Sequence, residues 1–369
     1  MCHACSSGQA CLHASRYTND FRNVYYVSIT PDSSSASGLT CRLTGMRERR
    51  LLAANNLPQL PTELISFTPE CRRGFVAIGN FDGVHRGHQA MMALLAQRAR
   101  ELGGRALAMT FDPHPWELLR PSGAPPSLMT LEHRVELLKR YGADEVLVCR
   151  TTHELLKLSA SDFFQQIIIE TLDARGLIEG PNFFFGRERE GNITLLKQLC
   201  EKAGLSLDIV PPILVADQLV SSSVIRSLLG AGQMKEAVDL LGHPYQISGV
   251  VGTGMQRGRT IGFPTANLTQ CPNLIPAHGV YSGRVRLDRS YPAAIHIGPN
   301  PTFGEQESKI EVHILDFAGD LYGQMLSVDL QARIRGVTKF ADKEALLAQL
   351  HRDCQEARAH FASPSIHAG

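Results

Sequence analysis

The chain has 369 residues, enough for two domains of ordinary size, each burying its own core. Hydrophobic residues make up 43% and charged residues 20%, and 37 Lys+Arg nearly balance 36 Asp+Glu, so no global field draws nucleic acid or an anionic membrane. No apolar run approaches the roughly 20 residues of a membrane helix, and the beginning lacks the apolar stretch of a secretory signal. The expectation is a soluble, cytoplasmic protein acting on small molecules, without nucleic-acid or membrane partners.

Residues 1 to about 55 are rich in Ser, Thr, Asn and Ala, including the run Ser33-Ser34-Ser35-Ala36-Ser37-Gly38, and read as disordered. They are grouped with the following residues as an N-terminal extension, 1–71. An organelle transit peptide fits the scarcity of acids, but a start codon placed too early, with Met46 as the true first residue, is the preferred reading. Cys2 and Cys5 form a Cys-x-x-Cys near His3, Cys11 and His13, without the second Cys pair that would complete a zinc site. The nine cysteines are scattered without a framework, and reduced thiols are expected.

From 72 to 228 short apolar runs alternate with amphipathic segments, an α/β pattern. Strands are predicted at 75–78, 105–110, 145–148, 176–178 and 206–210, and helices at 88–102, 131–141, 161–172 and 194–203. Gly103, Gly142 and Gly204 stand where left-handed helix caps favour glycine. A Rossmann-like parallel sheet covered on both faces follows, with ligands at the carboxyl ends of its strands. A connector, 229–242, leads to a different pattern over 243–362. There the runs 245–251, 280–287, 293–297, 310–315 and 326–334 alternate in and out, which predicts an antiparallel β-barrel. A final helix is predicted at 343–359, ahead of a tail at 363–369.

Two glycine-rich segments carry the chemistry. Gly79-Asn80-Phe81-Asp82-Gly83-Val84-His85-Arg86-Gly87-His88 links the first strand to a helix, where unpaired helix N–H groups make an anion site. His85 and His88, three apart, reach one side and can donate to phosphate; Gly83 and Gly87 admit close backbone approach. A metal-binding His-x-x-His is the competing reading, weakened by the lack of an adjacent acid or thiolate. Ser221-Ser222-Ser223-Val224-Ile225-Arg226 offers hydroxyls and a guanidinium that read as a helix cap when taken singly, and as a second wall of a nucleotide pocket beside the histidine turn.

The second segment, Gly258-Arg259-Thr260-Ile261-Gly262-Phe263-Pro264-Thr265-Ala266-Asn267, lacks the Gly-Lys-Ser/Thr ending of a P-loop. Thr265 and Asn267, two apart on an extended strand, share a face and offer oxygen to a magnesium ion. Glu311, alone in an alternating strand, reads from its own sequence as a solvated residue. His278, His296, His313, His351, His360 and His367 have no partner that spacing can identify and are expected to be surface or structural residues.

The histidine turn, Thr110-Phe111-Asp112-Pro113-His114-Pro115, Gly180-Pro181-Asn182-Phe183-Phe184-Phe185-Gly186-Arg187 and the serine segment resemble, in order, the adenylyltransferase module of bacterial bifunctional riboflavin kinase/FAD synthetases. The second glycine segment, Gly279-Val280-Tyr281, Ile297 to Gly304 and Glu311-Val312-His313-Ile314-Leu315-Asp316-Phe317 resemble its riboflavin kinase module. The resemblance spans residues 72 to 360. It implies that riboflavin and ATP give FMN in the barrel, and that FMN and ATP give FAD and pyrophosphate in the α/β domain, with Mg2+ serving both.

By that resemblance His85 and His88 stabilise the adenylyl-transfer transition state. Gly79, Asn80, Phe81, Asp82, Gly83, Gly87, Ser222, Ser223 and Arg226 hold ATP, while His114, Pro115, Asn182, Phe185 and Arg187 form the flavin side. In the barrel it makes Thr265 and Asn267 the metal ligands, Glu311 the base, and Gly258, Arg259, Gly262, Pro264 and Arg335 binders of ATP or flavin. The chain departs from the family's pattern at Pro181-Asn182, where an acidic pair is usual, at Ser223 in place of Thr, and at Arg335-Gly336 in place of Arg-Asp. A single surviving activity, or a flavin-binding protein without catalysis, are the alternatives.

Overall fold

The computed structural model describes residues 72–253, 262–303 and 306–362, together with the backbone of 24–31 and 39–45. Five parallel strands form the centre of the first domain: β3 (Phe75–Ile78), β4 (Ala106–Asp112), β5 (Glu145–Arg150), β6 (Gly176–Glu179) and β7 (Ser206–Ile209). Val24–Pro31 (β1) pairs parallel to β5, and Leu39–Gly45 (β2) pairs antiparallel to β1, so the full order is β2-β1-β5-β4-β3-β6-β7. The expectation of disorder for 1–55 is therefore corrected at these two stretches. Val24-Tyr25-Tyr26-Val27 has the β-branched and aromatic composition of a strand, and the open edge of β5 offers it a ladder.

Strand alternation sorts the core onto two faces. Ala77, Ala108, Val146 and Val148 meet helices α1 (Arg86–Leu102) and α3 (Leu131–Arg140) on one side. On the other, Val76, Leu107, Leu147 and Leu177 meet a helix that begins at Ala160–Phe163 (α5) and continues as a π-helix over Phe164–Thr171, together with α6 (Ile193–Ala203). Gly103 and Gly204 are left-handed caps as expected; Gly142 follows the cap residue Tyr141 at φ 128°, outside the left-handed helical region. Two short helices, α2 (Pro115–Leu119) and α4 (His153–Lys157), escaped the sequence reading because five residues carry too little periodicity to register. So did the hairpin β8 (Leu214–Val215) and β9 (Gln218–Leu219).

The connector is two helices, α7 (Ser222–Gly230) and α8 (Met234–Leu241), and α7 begins inside the serine segment. Their buried Ile225, Leu229, Met234 and Leu241 join one apolar cluster with Tyr245, Ile295, Val312 and Val328 of the second domain. That domain is a closed antiparallel barrel in the order β10-β11-β14-β13-β12-β15. Its strands are β10 (Tyr245–Gly252), β11 (Ala266–Thr269), β12 (Gly279–Arg286), β13 (Ser290–Gly298), β14 (Lys309–Ile314) and β15 (Met325–Arg335). The last helix, α9 (Lys343–Ala362), lies against β12, β13 and β15 on the outside.

Candidate functional site

At the carboxyl end of β3 the chain turns sharply through Phe81, Gly83 and Val84, all at positive φ, before α1 begins. Gly83 is required there: at φ 90° a Cβ would also come within 2.9 Å of Leu128. His85 is the N-cap of α1, its Nδ1 accepting from the His88 N–H, which leaves the hydrogen on Nε2. The two imidazoles stack with centroids 3.7 Å apart, and Phe81 meets His88 edge-on. Burial pushes the His85 ring down to about 4 and holds His88 well below the usual histidine range, so both are neutral donors rather than cations at pH 7. No acid occupies the first turn of α1, so no carboxylate there opposes an anion at the helix N-terminus.

Asp82 and Arg226, both expected at the phosphates, are brought together as an ion pair. The Asp82 carboxylate also accepts from the Leu128 N–H at 2.9 Å, and Arg226 Nε donates to the Pro126 carbonyl. Ser222 Oγ donates to the Asp82 carbonyl at 2.7 Å, Ser221 caps α7, and Ser223 is exposed. The serine segment therefore caps α7 and also closes over the turn.

His114 is the N-cap of α2, with Nδ1 accepting from Trp116 N–H at 3.1 Å, and burial lowers it to about 4. Pro115 opens that helix. Asn182 and Arg187 are exposed on the loop after β6. Phe185, expected on the flavin side, is 6% exposed and packs against Phe163 and Phe183 in the core, while Phe184, beneath the Arg189 guanidinium, presents its ring outward. In a run of three phenylalanines only the turn geometry decides that Phe183 and Phe185 face inward and Phe184 outward.

Two buried residues here carried no sequence signal. Arg134 on α3 donates to Thr110 Oγ1 and the Phe111 carbonyl at the end of β4, although its spacing marks only an apolar helix face. Glu179, last in β6, accepts from the Ile78 N–H at 2.9 Å, and full burial raises its carboxyl well above the usual range.

In the barrel, β11 and β14 pair so that Asn267 lies opposite Glu311, and β14 and β13 pair so that Glu311 lies opposite His296. All three are half-buried on the outer face, while Ile310 and Val312 point into the core. Glu311 Oε2 accepts from Asn300 Nδ2 at 3.1 Å. Thr265, two residues before Asn267, lies just ahead of β11, and the Pro264 carbonyl is 2.7 Å from His313 Nδ1. Gly262 is exposed at φ 86°; Gly258 and Arg259 lie outside the described residues. Arg335 is engaged by a bidentate pair with the buried Asp353 of α9 and stands over the Phe340 ring.

Among the described residues no group of three or more His, Cys, Asp or Glu could hold a metal ion, so His85-x-x-His88 has no third ligand. Thr265 and Asn267 are hard oxygen donors beside the Glu311 carboxylate, a pair that fits magnesium carried in on phosphates. No helix of the described residues is long and apolar enough to cross a membrane.

The FAD synthetase family matches residues 68–224 and the riboflavin kinase family residues 241–361, one on each domain. A bifunctional riboflavin kinase/FMN adenylyltransferase of Pseudomonas fluorescens is 37% identical over 311 residues, covering 84% of this chain and 99% of that protein. Its counterparts in Escherichia coli K12 and Bacillus subtilis are 36% and 35% identical, over 83% and 80% of this chain and 96% and 94% of theirs. A crystal structure from Streptococcus pneumoniae, titled a macrolide-efflux protein, superposes with a TM-score of 0.70 at 33% identity, over 79% of this chain and 95% of that one. Two activities matched separately to the two domains that the fold separates, with curated relatives aligned over nearly their whole length, place the chain in the bifunctional riboflavin kinase/FMN adenylyltransferase family.

Proposed function

We propose that the chain carries both activities of its family: phosphorylation of riboflavin to FMN on the barrel, and adenylylation of FMN to FAD with release of pyrophosphate in the α/β domain. The observation that carries this is the presence of two separately built sites, the stacked histidines opening α1 and the facing Asn267 and Glu311 across β11 and β14.

In the first reaction Glu311 takes the proton of the riboflavin 5′-hydroxyl as its oxygen bonds to the γ-phosphorus and the bond to the β-phosphate oxygen breaks. Thr265 and Asn267 would hold magnesium, which when bound neutralises charge on the transferred group. Gly262 and Pro264 shape the nucleotide end of the site, and Arg335 acts through its grip on Asp353, which fixes α9 against the strands.

In the second reaction a phosphate oxygen of FMN attacks the α-phosphorus of ATP in line, and pyrophosphate leaves. His85 Nε2–H, the His88 ring and the N-terminal end of α1 stabilise oxygens whose charge grows in the transition state. Gly79, Asn80, Gly87, Ser222 and Ser223 line the phosphate path, and the Asp82–Arg226 pair fixes the turn that carries the histidines. His114, Pro115, Asn182, Arg187 and Phe184 border the flavin side.

The test is chromatographic separation of flavins after incubating the protein with riboflavin, ATP and magnesium. FMN appearing first and FAD later supports both activities. FMN alone would remove the adenylyltransferase and direct attention to Pro181-Asn182, and no conversion with riboflavin bound would leave a binding protein.

A further inference from the structure

Glu311 has two carboxylate oxygens, and only one can face a substrate hydroxyl productively. Oε2 accepts from Asn300 Nδ2 at 3.1 Å, so Oε1 is the oxygen left to act. Asn300 is constrained from both sides. Pro299 before it has a fixed φ, and Pro301 after it confines Asn300 to extended backbone. The loop is pinned at both ends: Thr302 Oγ1 accepts from the Phe340 N–H at 3.2 Å, and His296 Nε2 lies 3.2 Å from the Pro299 carbonyl.

That carbonyl can only accept, so Nε2 carries the hydrogen. Neutral or protonated, the ring keeps that N–H to give. His296 is also the cross-strand partner of Glu311, on the same outer face. One imidazole thus ties the loop to the strand beside the carboxylate, while the amide on that loop reaches back to the carboxylate.

We propose that Asn300 and His296 are positioning residues of the kinase site: Asn300 fixes the Glu311 carboxylate with Oε1 free for the riboflavin hydroxyl, and His296 holds the loop that carries Asn300. The inference rests on the reading of Glu311 as the base. It assigns a role to a histidine whose spacing suggested none, and it requires no proton to pass through the ring.

The experiment measures FMN formation at varied riboflavin and ATP in the full chain, with FAD formation from supplied FMN as a report on folding. Asn300→Ala should lower kcat for FMN formation about tenfold or more, with KM for both substrates within about twofold and FAD formation unchanged. His296→Leu should do the same, whereas His296→Gln, whose amide nitrogen can stand in for Nε2–H, should restore most of the rate. If Asn300→Ala also loses FAD formation, the His296 pair decides. Equal rates for Leu and Gln, or a loss expressed in KM alone, would overturn the inference. Glu311→Ala, measured in parallel, separates the two readings. Unchanged FMN formation in that variant removes the base itself, whereas its loss alongside normal kcat in Asn300→Ala and His296→Leu removes only the positioning pair.

Discussion

His85 and His88 are neutral and stacked, so the proposed role of each is to donate a hydrogen bond, and each should matter only where phosphate charge develops. Replacing His88 by Ala should reduce FAD formation by about a hundredfold or more while FMN formation from riboflavin is unchanged, read from initial rates of the two reactions separately. Equal loss of both would contradict a two-site enzyme. Asp82 and Arg226 behave differently: each engages the other in a largely buried setting. Arg226→Gln leaves the Asp82 carboxylate without its cation and should cost about 3 kcal/mol of stability in chemical denaturation, besides weakening FAD formation. The residue types were legible in the sequence at this scale; their pairing was not. A guanidinium near serines and glycines reads equally well as a phosphate clamp or a structural tie, and only the approach of α7 to the turn brings Asp82 within its reach.

The long helices α1, α3 and α6 fall close to their predicted bounds because each repeats its apolar spacing over enough residues to be read, and the five central strands because their short apolar runs alternate with those helices. Short elements and the hairpin at the sheet edge were missed for the opposite reason. The elements also decide how function is supported at a distance. Helix α9 touches the barrel from outside, and its Asp353, 1% exposed, receives Arg335 from the end of β15. Asp353→Ala strands that guanidinium, frees the C-terminal half of α9, and should lower FMN formation along with a stability loss of about 3 kcal/mol. Thermal unfolding and the kinase rate, measured together, check it; an unchanged rate in a destabilised variant would confine α9 to a structural role.

Across the molecule the two domains share more than a tether. α7 and α8 belong to the apolar cluster of the barrel, Arg86 Nε donates to the Asp239 carbonyl, and His243 Nε2 lies 3.0 Å from the Gly83 carbonyl of the histidine turn. A kinase fragment beginning at 243 would expose the barrel surface that Leu229, Met234, Leu240 and Leu241 cover, each worth roughly 1.5–3 kcal/mol when buried. A fragment beginning at 221 should therefore be soluble and active, and one beginning at 243 should aggregate; expression followed by size-exclusion chromatography distinguishes them. Burial also lowers His85, His114 and His243 to about 4 each, below the ordinary value of 6.5. Between 6.5 and 4 the unfolded chain binds the more protons, so stability rises with pH across that window. The contribution is complete above 6.5 and is lost as the pH falls toward 4. Thermal unfolding at pH 7.5, 6 and 5 should show the fall, and His243→Gln should flatten it relative to the wild type.

The sequence by itself determined the two domain types, their order, and the residues of both glycine segments, because strand and helix periodicity and local turn chemistry are written within a few neighbouring positions. Only the tertiary structure decided that Phe185 packs in the core, that Arg226 and Arg335 pair with Asp82 and Asp353, and that Asn267, Glu311 and His296 stand in one row. Those partners lie far apart along the chain, and it is strand register and helix docking that bring their side chains together, quantities that no local spacing encodes.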